Sequence, residues 1–314
     1  MRNILFVLIT LVFTSSCIAQ KHDKMIKNIL SPYYAPTSYL RTQEGEVAYT
    51  EKGKGKKTIV FVHGLSSNSD AWARNVEKLS DKYHCITIDL PGFGRTYKEA
   101  KTFTPTTFAQ TIHTLLKVKK IKKVVLVGHS MGGQASIKFS KMYPEMVDKL
   151  ILIAPAGIEE FSEAESSTMK MFSTQAVFKA TTDEQIEKNY LLNFYKMPQE
   201  AQQMIIDRKA IKSAEDFDLH TLAIEKSING MLNDKVIEDI PSITIPTLVL
   251  FAENDMLIPN KYFHPSMKIE DLANKAKELF SNSMVKIIPE SGHFLQFEKP
   301  EVVNQEIDQF ISIK

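Results

Sequence analysis

Lys122-Lys123-Val124-Val125-Leu126-Val127-Gly128-His129-Ser130-Met131-Gly132-Gly133 is the stretch whose reading decides the fold. Its first half, a run of β-branched and apolar residues, reads as a short strand buried on both faces, as in a parallel sheet. Ala135 to Met142 reads as a helix packing back on that strand. Between them a serine is flanked at minus two and plus two by glycines. A chain that turns abruptly from strand to helix forces the residue at the turn into a strained conformation, and its neighbours must then lack side chains to avoid collision. Such a turn lifts the Ser130 hydroxyl clear of the backbone near a helix N-terminus, where partial positive charge favours a developing anion.

Strands and helices alternate on either side of this turn. Glu46 to Thr50, Thr58 to Val62, Cys85 to Asp89 and Leu150 to Ala154 read as strands, with helices at Trp72 to Leu79 and Thr106 to Leu116. This rhythm predicts an α/β fold with a mostly parallel central sheet flanked by helices. Gly53-Lys54-Gly55-Lys56-Lys57 lacks the spacing and the following helix of a phosphate loop, so it reads as a hairpin turn. The rhythm breaks at Pro155. Residues 157–240 carry helical patterns instead, at Asp183 to Phe194, Pro198 to Ile211 and Phe217 to Ile228. It resumes with strands at Thr247 to Phe251 and Val285 to Ile288 and a helix at Pro300 to Ile311. The expected organisation is therefore a core of residues 46–156 and 241–314 with a helical cap, 157–240, inserted into it. Residues 20–45 form an extended lead-in.

The 314 residues are 43% hydrophobic and 24% charged, with a formal net charge of +2. Near-neutrality argues against a nucleic-acid partner, and Lys117 to Lys123 reads as a solvated helix end. At the N-terminus, Arg2 precedes the ten-residue apolar run Ile4 to Phe13, which is too short for a stable bilayer anchor, and small residues follow. That order is the layout of an export signal over residues 1–19, which predicts a periplasmic or secreted protein. Ser15-Ser16-Cys17 resembles a loose lipobox that would attach the chain to a membrane through a lipid on Cys17, whereas cleavage after Ala19 would discard that residue. The second cysteine, Cys85, lies in an apolar run and reads as a small buried hydrophobe.

A serine hydroxyl needs a base, and the base needs an orienter. Asp255 follows the resumed strand and His293 follows the last one, so both fall at the C-terminal edge of the sheet, where Ser130 also sits and where such folds bind ligands. Glu253 is the rival acid. The chain order is Ser, Asp, His. Acyl transfer also needs donors aimed at an oxyanion. The main-chain amides of Met131, next to the nucleophile, and of Leu65, in the loop opened by His63-Gly64, are the candidates. His63 reads as a loop-shaping residue and His129 as a neighbour that packs or hydrogen-bonds beside the turn. No His/Cys/Asp set has metal-ligand spacing and no dinucleotide fingerprint follows a first strand, so neither metal nor cofactor is expected.

Together these residues resemble the α/β-hydrolase superfamily, in its capped serine-hydrolase branch. The resemblance spans roughly residues 45–313 and is carried by His63-Gly64, Asp89 to Thr96, Gly128 to Gly133, Asp255 with Pro259, and Gly292-His293. Thr96 stands where the family often has Ser, and Ala252 where a Gly commonly opens the acid loop. The resemblance implies that Ser130, His293 and Asp255 form a triad that hydrolyses a small, mostly apolar ester through an acyl-enzyme. The same triad elsewhere in the superfamily cleaves C–C bonds, opens lactones or runs peroxide chemistry, and some members only bind small molecules.

Overall fold

The computed structural model describes residues 24–313. The expected export signal, with Cys17, lies outside the described residues. Eight strands form one sheet in the order β1-β2-β4-β3-β5-β6-β7-β8. They are β1 (Thr37–Arg41), β2 (Glu46–Lys52), β3 (Thr58–Val62), β4 (His84–Ile88), β5 (Val124–His129), β6 (Val147–Ile153), β7 (Thr247–Ala252) and β8 (Ser283–Ile288). Strands β1 and β2 run antiparallel, and every pairing from β4 to β8 is parallel. The predicted α/β class is the observed one.

Side chains alternate across the sheet, so each central strand supplies two cores. Val60, Val62, Leu126, Leu152, Val249 and Phe251 face one layer, while Ile59, Phe61, Val125, Val127, Ile151 and Leu250 face the other. The central strands are mostly apolar because helices cover both faces. After a short helical turn, α1 (Ile26–Ile29), the covering helices are α2 (Ala73–Leu79), α3 (Pro105–Val118) and α4 (Met131–Met142). Phe108, Ile112 and Leu115 of α3 lie on one stripe at helical spacing and are buried in the first layer. The N-cap Thr104 accepts from the Thr107 amide at 3.1 Å, with Pro105 at the first helical position. Burying a side chain as large as Phe108 stabilises the fold by about 1.5–3 kcal/mol.

Between β6 and β7 the chain makes α5 (Glu163–Phe172), α6 (Gln175–Ala180), α7 (Asp183–Leu191), α8 (Gln202–Ala210) and α9 (Phe217–Asn233). Helices α10 (Ile269–Leu279), α11 (Leu295–Glu298) and α12 (Pro300–Ser312) follow. The breaks after Phe172 and Ala180 are set by Thr174 and Thr182, each of which caps the helix that follows it.

Two expectations need correction. Gly53 to Lys57 is not a hairpin turn: β2 pairs with β1 and β4, and β3 with β4 and β5, so the segment joins strands that do not touch. The hairpin lies one strand earlier, where the Thr42 amide donates to Gly45 O at 2.9 Å. The lead-in is only partly extended, since it contains α1 and the edge strand β1, where Ser38, Tyr39 and Arg41 are exposed and leave no apolar alternation to read. Helices α5, α6 and α10 were also not anticipated. Cys85 is buried as expected, and burial pushes its thiol up to about 12.

Candidate active site

Strand β5 ends at His129 and α4 begins at Met131, so Ser130 alone makes the turn, at φ 53° and ψ −120°. That conformation is unfavourable for a residue with a Cβ by about 1–3 kcal/mol and persists only where its surroundings fix it. Here they do. The Ser130 amide donates to Ile153 O (3.1 Å), and its carbonyl accepts from the amides of Gly133 (2.8 Å) and Ala156 (3.1 Å). The flanking glycines are close-approach positions. A Cβ on Gly128 would sit 2.4 Å from both Gly132 O and Ser136 Oγ, and one on Gly132 would sit 2.4 Å from His63 O.

The loops after β7 and β8 bring Asp255 and His293 together. His293 Nδ1 lies 2.8 Å from Asp255 Oδ2, and the two residues are only 3% and 4% exposed. Asp255 Oδ1 accepts from the amides of Leu257 (2.8 Å) and Ile258 (2.9 Å), which fixes the carboxylate plane. Glu253 points its chemistry elsewhere: it is exposed and accepts from the Glu290 amide at 3.0 Å. Ser130 lines the same cavity as His293, and among the described residues its hydroxyl makes no hydrogen bond. The acid–imidazole bond is formed, while the serine–imidazole bond is open.

Two buried histidines brace this arrangement. His129 Nε2 is 2.9 Å from His293 O, and a carbonyl only accepts, so the proton sits on Nε2. Burial, reinforced by the His293 charge, holds His129 well below the ordinary imidazole range, which keeps it neutral. His63 donates from Nδ1 to Gly64 O (2.7 Å) and accepts at Nε2 from the Leu90 amide (3.0 Å), which pins the loop that carries Leu65. Met131 is the first residue of its helix, so its amide has no intrahelical acceptor. Among the described residues the Leu65 amide has no acceptor either. The Asp89 to Thr96 turn serves the scaffold. Asp89 Oδ1 accepts from the Ser69 amide (2.7 Å), Oδ2 from the Arg95 amide (2.7 Å) and the Tyr33 hydroxyl (2.9 Å), and Thr96 Oγ1 donates to Asp89 O (2.6 Å).

The cavity holds about 360 Å³. Its walls are mainly Met169, Ile228, Met231, Leu232, Val236 and Ile258, from the segment between β6 and β7 and from the Asp255 loop. A second, more polar cavity of about 250 Å³ shares Leu65, Asn193 and Phe294 with it. Two residues absent from the sequence reading stand out. Arg208, on the wall of the polar cavity, lies 5.5 Å above the Phe217 ring and donates no hydrogen bond among the described residues. Burial pulls its guanidinium down from the ordinary value. Glu159 lines the main cavity although it is only 8% exposed. Neither lies in a motif, and only folding brings Glu159 to the cavity of the serine and Arg208 to the cavity beside it. Among the described residues no cluster of three or more His, Cys, Asp or Glu side chains is arranged to hold a metal ion.

A sequence model described as the alpha/beta hydrolase fold matches residues 57–300. The chain is 27% identical over 280 residues to the uncharacterized hydrolase YugF of Bacillus subtilis, covering 86% of this chain and 96% of that one. It is 23% identical over 287 residues to a 2-hydroxy-6-oxononadienedioate/2-hydroxy-6-oxononatrienedioate hydrolase of Pseudomonas putida, covering 88% and 96%. Among solved structures, a probable hydrolytic enzyme from Pseudomonas aeruginosa superposes with a TM-score of 0.81 at 21% identity, over 92% of this chain and 98% of that one. The strained serine between β5 and α4, the acid and imidazole after β7 and β8, and a family match over most of the length lead to one assignment: the chain belongs to the alpha/beta hydrolase family and is a hydrolase.

Proposed function

We propose that the protein is a serine hydrolase that cleaves carboxylic esters of small, mostly apolar substrates through Ser130, His293 and Asp255. The observation that carries this reading is the buried 2.8 Å contact between His293 Nδ1 and Asp255 Oδ2 beside the apolar cavity that Ser130 also lines. Asp255 holds Nδ1–H, so Nε2 keeps a lone pair free to take the serine proton. Ser130 Oγ attacks the ester carbonyl, and the Leu65 and Met131 amides receive the oxyanion. The imidazolium then gives its proton to the leaving alcohol. Water, activated by the same imidazole, releases the acid and restores Ser130. The test is a panel of short- and medium-chain aryl esters run on the wild type and on Ser130→Ala. Turnover falls by about 10⁴-fold or more in the variant. Near-wild-type activity without the hydroxyl contradicts the assignment.

Arg208 favours a second reading, in which the bond cleaved is a C–C bond in a substrate that carries a carboxylate. A half-buried guanidinium that donates no hydrogen bond among the described residues matches a planar carboxylate, and the Pseudomonas putida relative is named for dioate substrates. A ratio of activities separates the two readings. In Arg208→Gln the rate on a carboxylate-bearing substrate falls relative to that on a neutral ester if the second reading holds, and the ratio stays constant if the first does.

A further inference from the structure

We propose that Glu159 selects substrates that carry a hydroxyl group on the arm lodged in the apolar cavity. The inference deepens the hydrolase reading by naming what the cavity recognises. Glu159 lies three residues beyond Ala156, whose amide donates to Ser130 O at 3.1 Å, so its backbone is tied to the nucleophile. Its Oε1 takes all the donors that the protein offers it: the Asn260 amide at 2.8 Å and His264 Nδ1 at 2.5 Å. Oε2 accepts nothing among the described residues, although the side chain is almost wholly buried and lines the cavity. That oxygen is not among the sealed, unpartnered polar atoms of the interior, so it is an acceptor open to a ligand donor from the cavity.

The carboxyl is held in place from two sides. His264 stacks on Phe161 with ring centroids 5.3 Å apart, and its Nε2 lies 3.4 Å from Glu165 Oε1 on α5. Burial, reinforced by the Asp255 charge, raises the Glu159 carboxyl. The other charged groups on this wall are differently placed: the Glu160 carboxylate is bound by Lys275 Nζ at 2.5 Å, and Lys235 is exposed. A hydroxyl suits the free oxygen better than an ammonium, because an apolar cavity strips water from a cation at far greater cost than from an alcohol.

The test uses methyl hexanoate, the methyl hydroxyhexanoates with the hydroxyl moved from carbon 3 to carbon 6, and methyl 6-aminohexanoate. For at least one hydroxy isomer, kcat/KM exceeds that of the unsubstituted ester by about tenfold or more, since a site built to bond a hydroxyl rejects an analogue without it. In Glu159→Leu that ratio collapses to about one. Glu159→Gln, which still offers Asn260 an acceptor, lowers it at least threefold and serves if the leucine variant does not fold. The same ratios are read as affinities by calorimetry on Ser130→Ala, where nothing is turned over. A binding preference without turnover in the wild type keeps this inference and removes the ester reading. Equal handling of all isomers, a preference that survives in both Glu159 variants, or selection of the amine over every alcohol overturns it.

Discussion

Asp255 spends both carboxylate oxygens on orientation, one on His293 and one on the Leu257 and Ile258 amides. The backbone bonds hold the carboxylate whether or not it is charged, so replacing it with an amide changes the proton inventory more than the position. Asp255→Asn is therefore expected to fold with an unchanged melting temperature within a few degrees and to lose about 10⁴-fold in kcat, because an amide nitrogen facing Nδ1 favours the wrong imidazole tautomer. Circular dichroism and steady-state kinetics on one preparation check both halves. A fall of less than tenfold would mean that His293 is oriented by something else. The residues proposed for this chemistry were legible because each follows a strand, with glycines two positions either side of Ser130 and one beside His293. Glu159 and Arg208 were not, since a lone acid in a loop and a lone arginine on a polar helix look like surface residues until the fold buries the one and sets the other on a cavity wall.

At the scale of elements, what the sequence reveals depends on how much of an element is buried. Strands β3, β5, β6 and β7 are covered on both faces and each carries a continuous apolar run, which in β6 begins only at Leu150 after Asp148 and Lys149. Edge strand β1 has exposed and half-buried residues only, and no periodicity marks it. Helix α10 was legible in principle, since Ile269, Leu272, Ala273 and Ala276 repeat at helical spacing and are buried. Helices α5 and α6 were not: Ser166 is the one fully buried residue of the first and the second has none, so capping carries most of their signal. The pairing of β2 with β4 lies beyond any reading of a single segment, because it depends on β4 returning between two strands that are neighbours in sequence.

For the molecule as a whole, the buried imidazoles set the response to acid. His220 donates from Nδ1 to Gly92 O at 3.1 Å, has no partner for Nε2 among the described residues, and is pushed down to about 3, first by burial and then by the Arg208 charge. His63 and His129 are shifted the same way, again chiefly by burial. The unfolded chain binds these protons near pH 6.5, so the stability that His220 contributes is complete above that value and is lost as pH falls toward 3. At pH 4.5 the loss from His220 alone comes to about 2–3 kcal/mol. Urea midpoints at pH 7 and pH 4.5 measure it, and His220→Gln should narrow the gap between them. An unchanged gap would place the acid sensitivity elsewhere.

Covalent labelling tests the claim that Ser130 is an activated nucleophile most directly. A fluorophosphonate is offered to the full chain, followed by intact-mass measurement and peptide mapping. One adduct is expected, on the peptide that contains Ser130; it should be absent in Ser130→Ala and form far more slowly in His293→Gln. No adduct, or one that forms on another residue or at the same rate without the imidazole, would contradict the account.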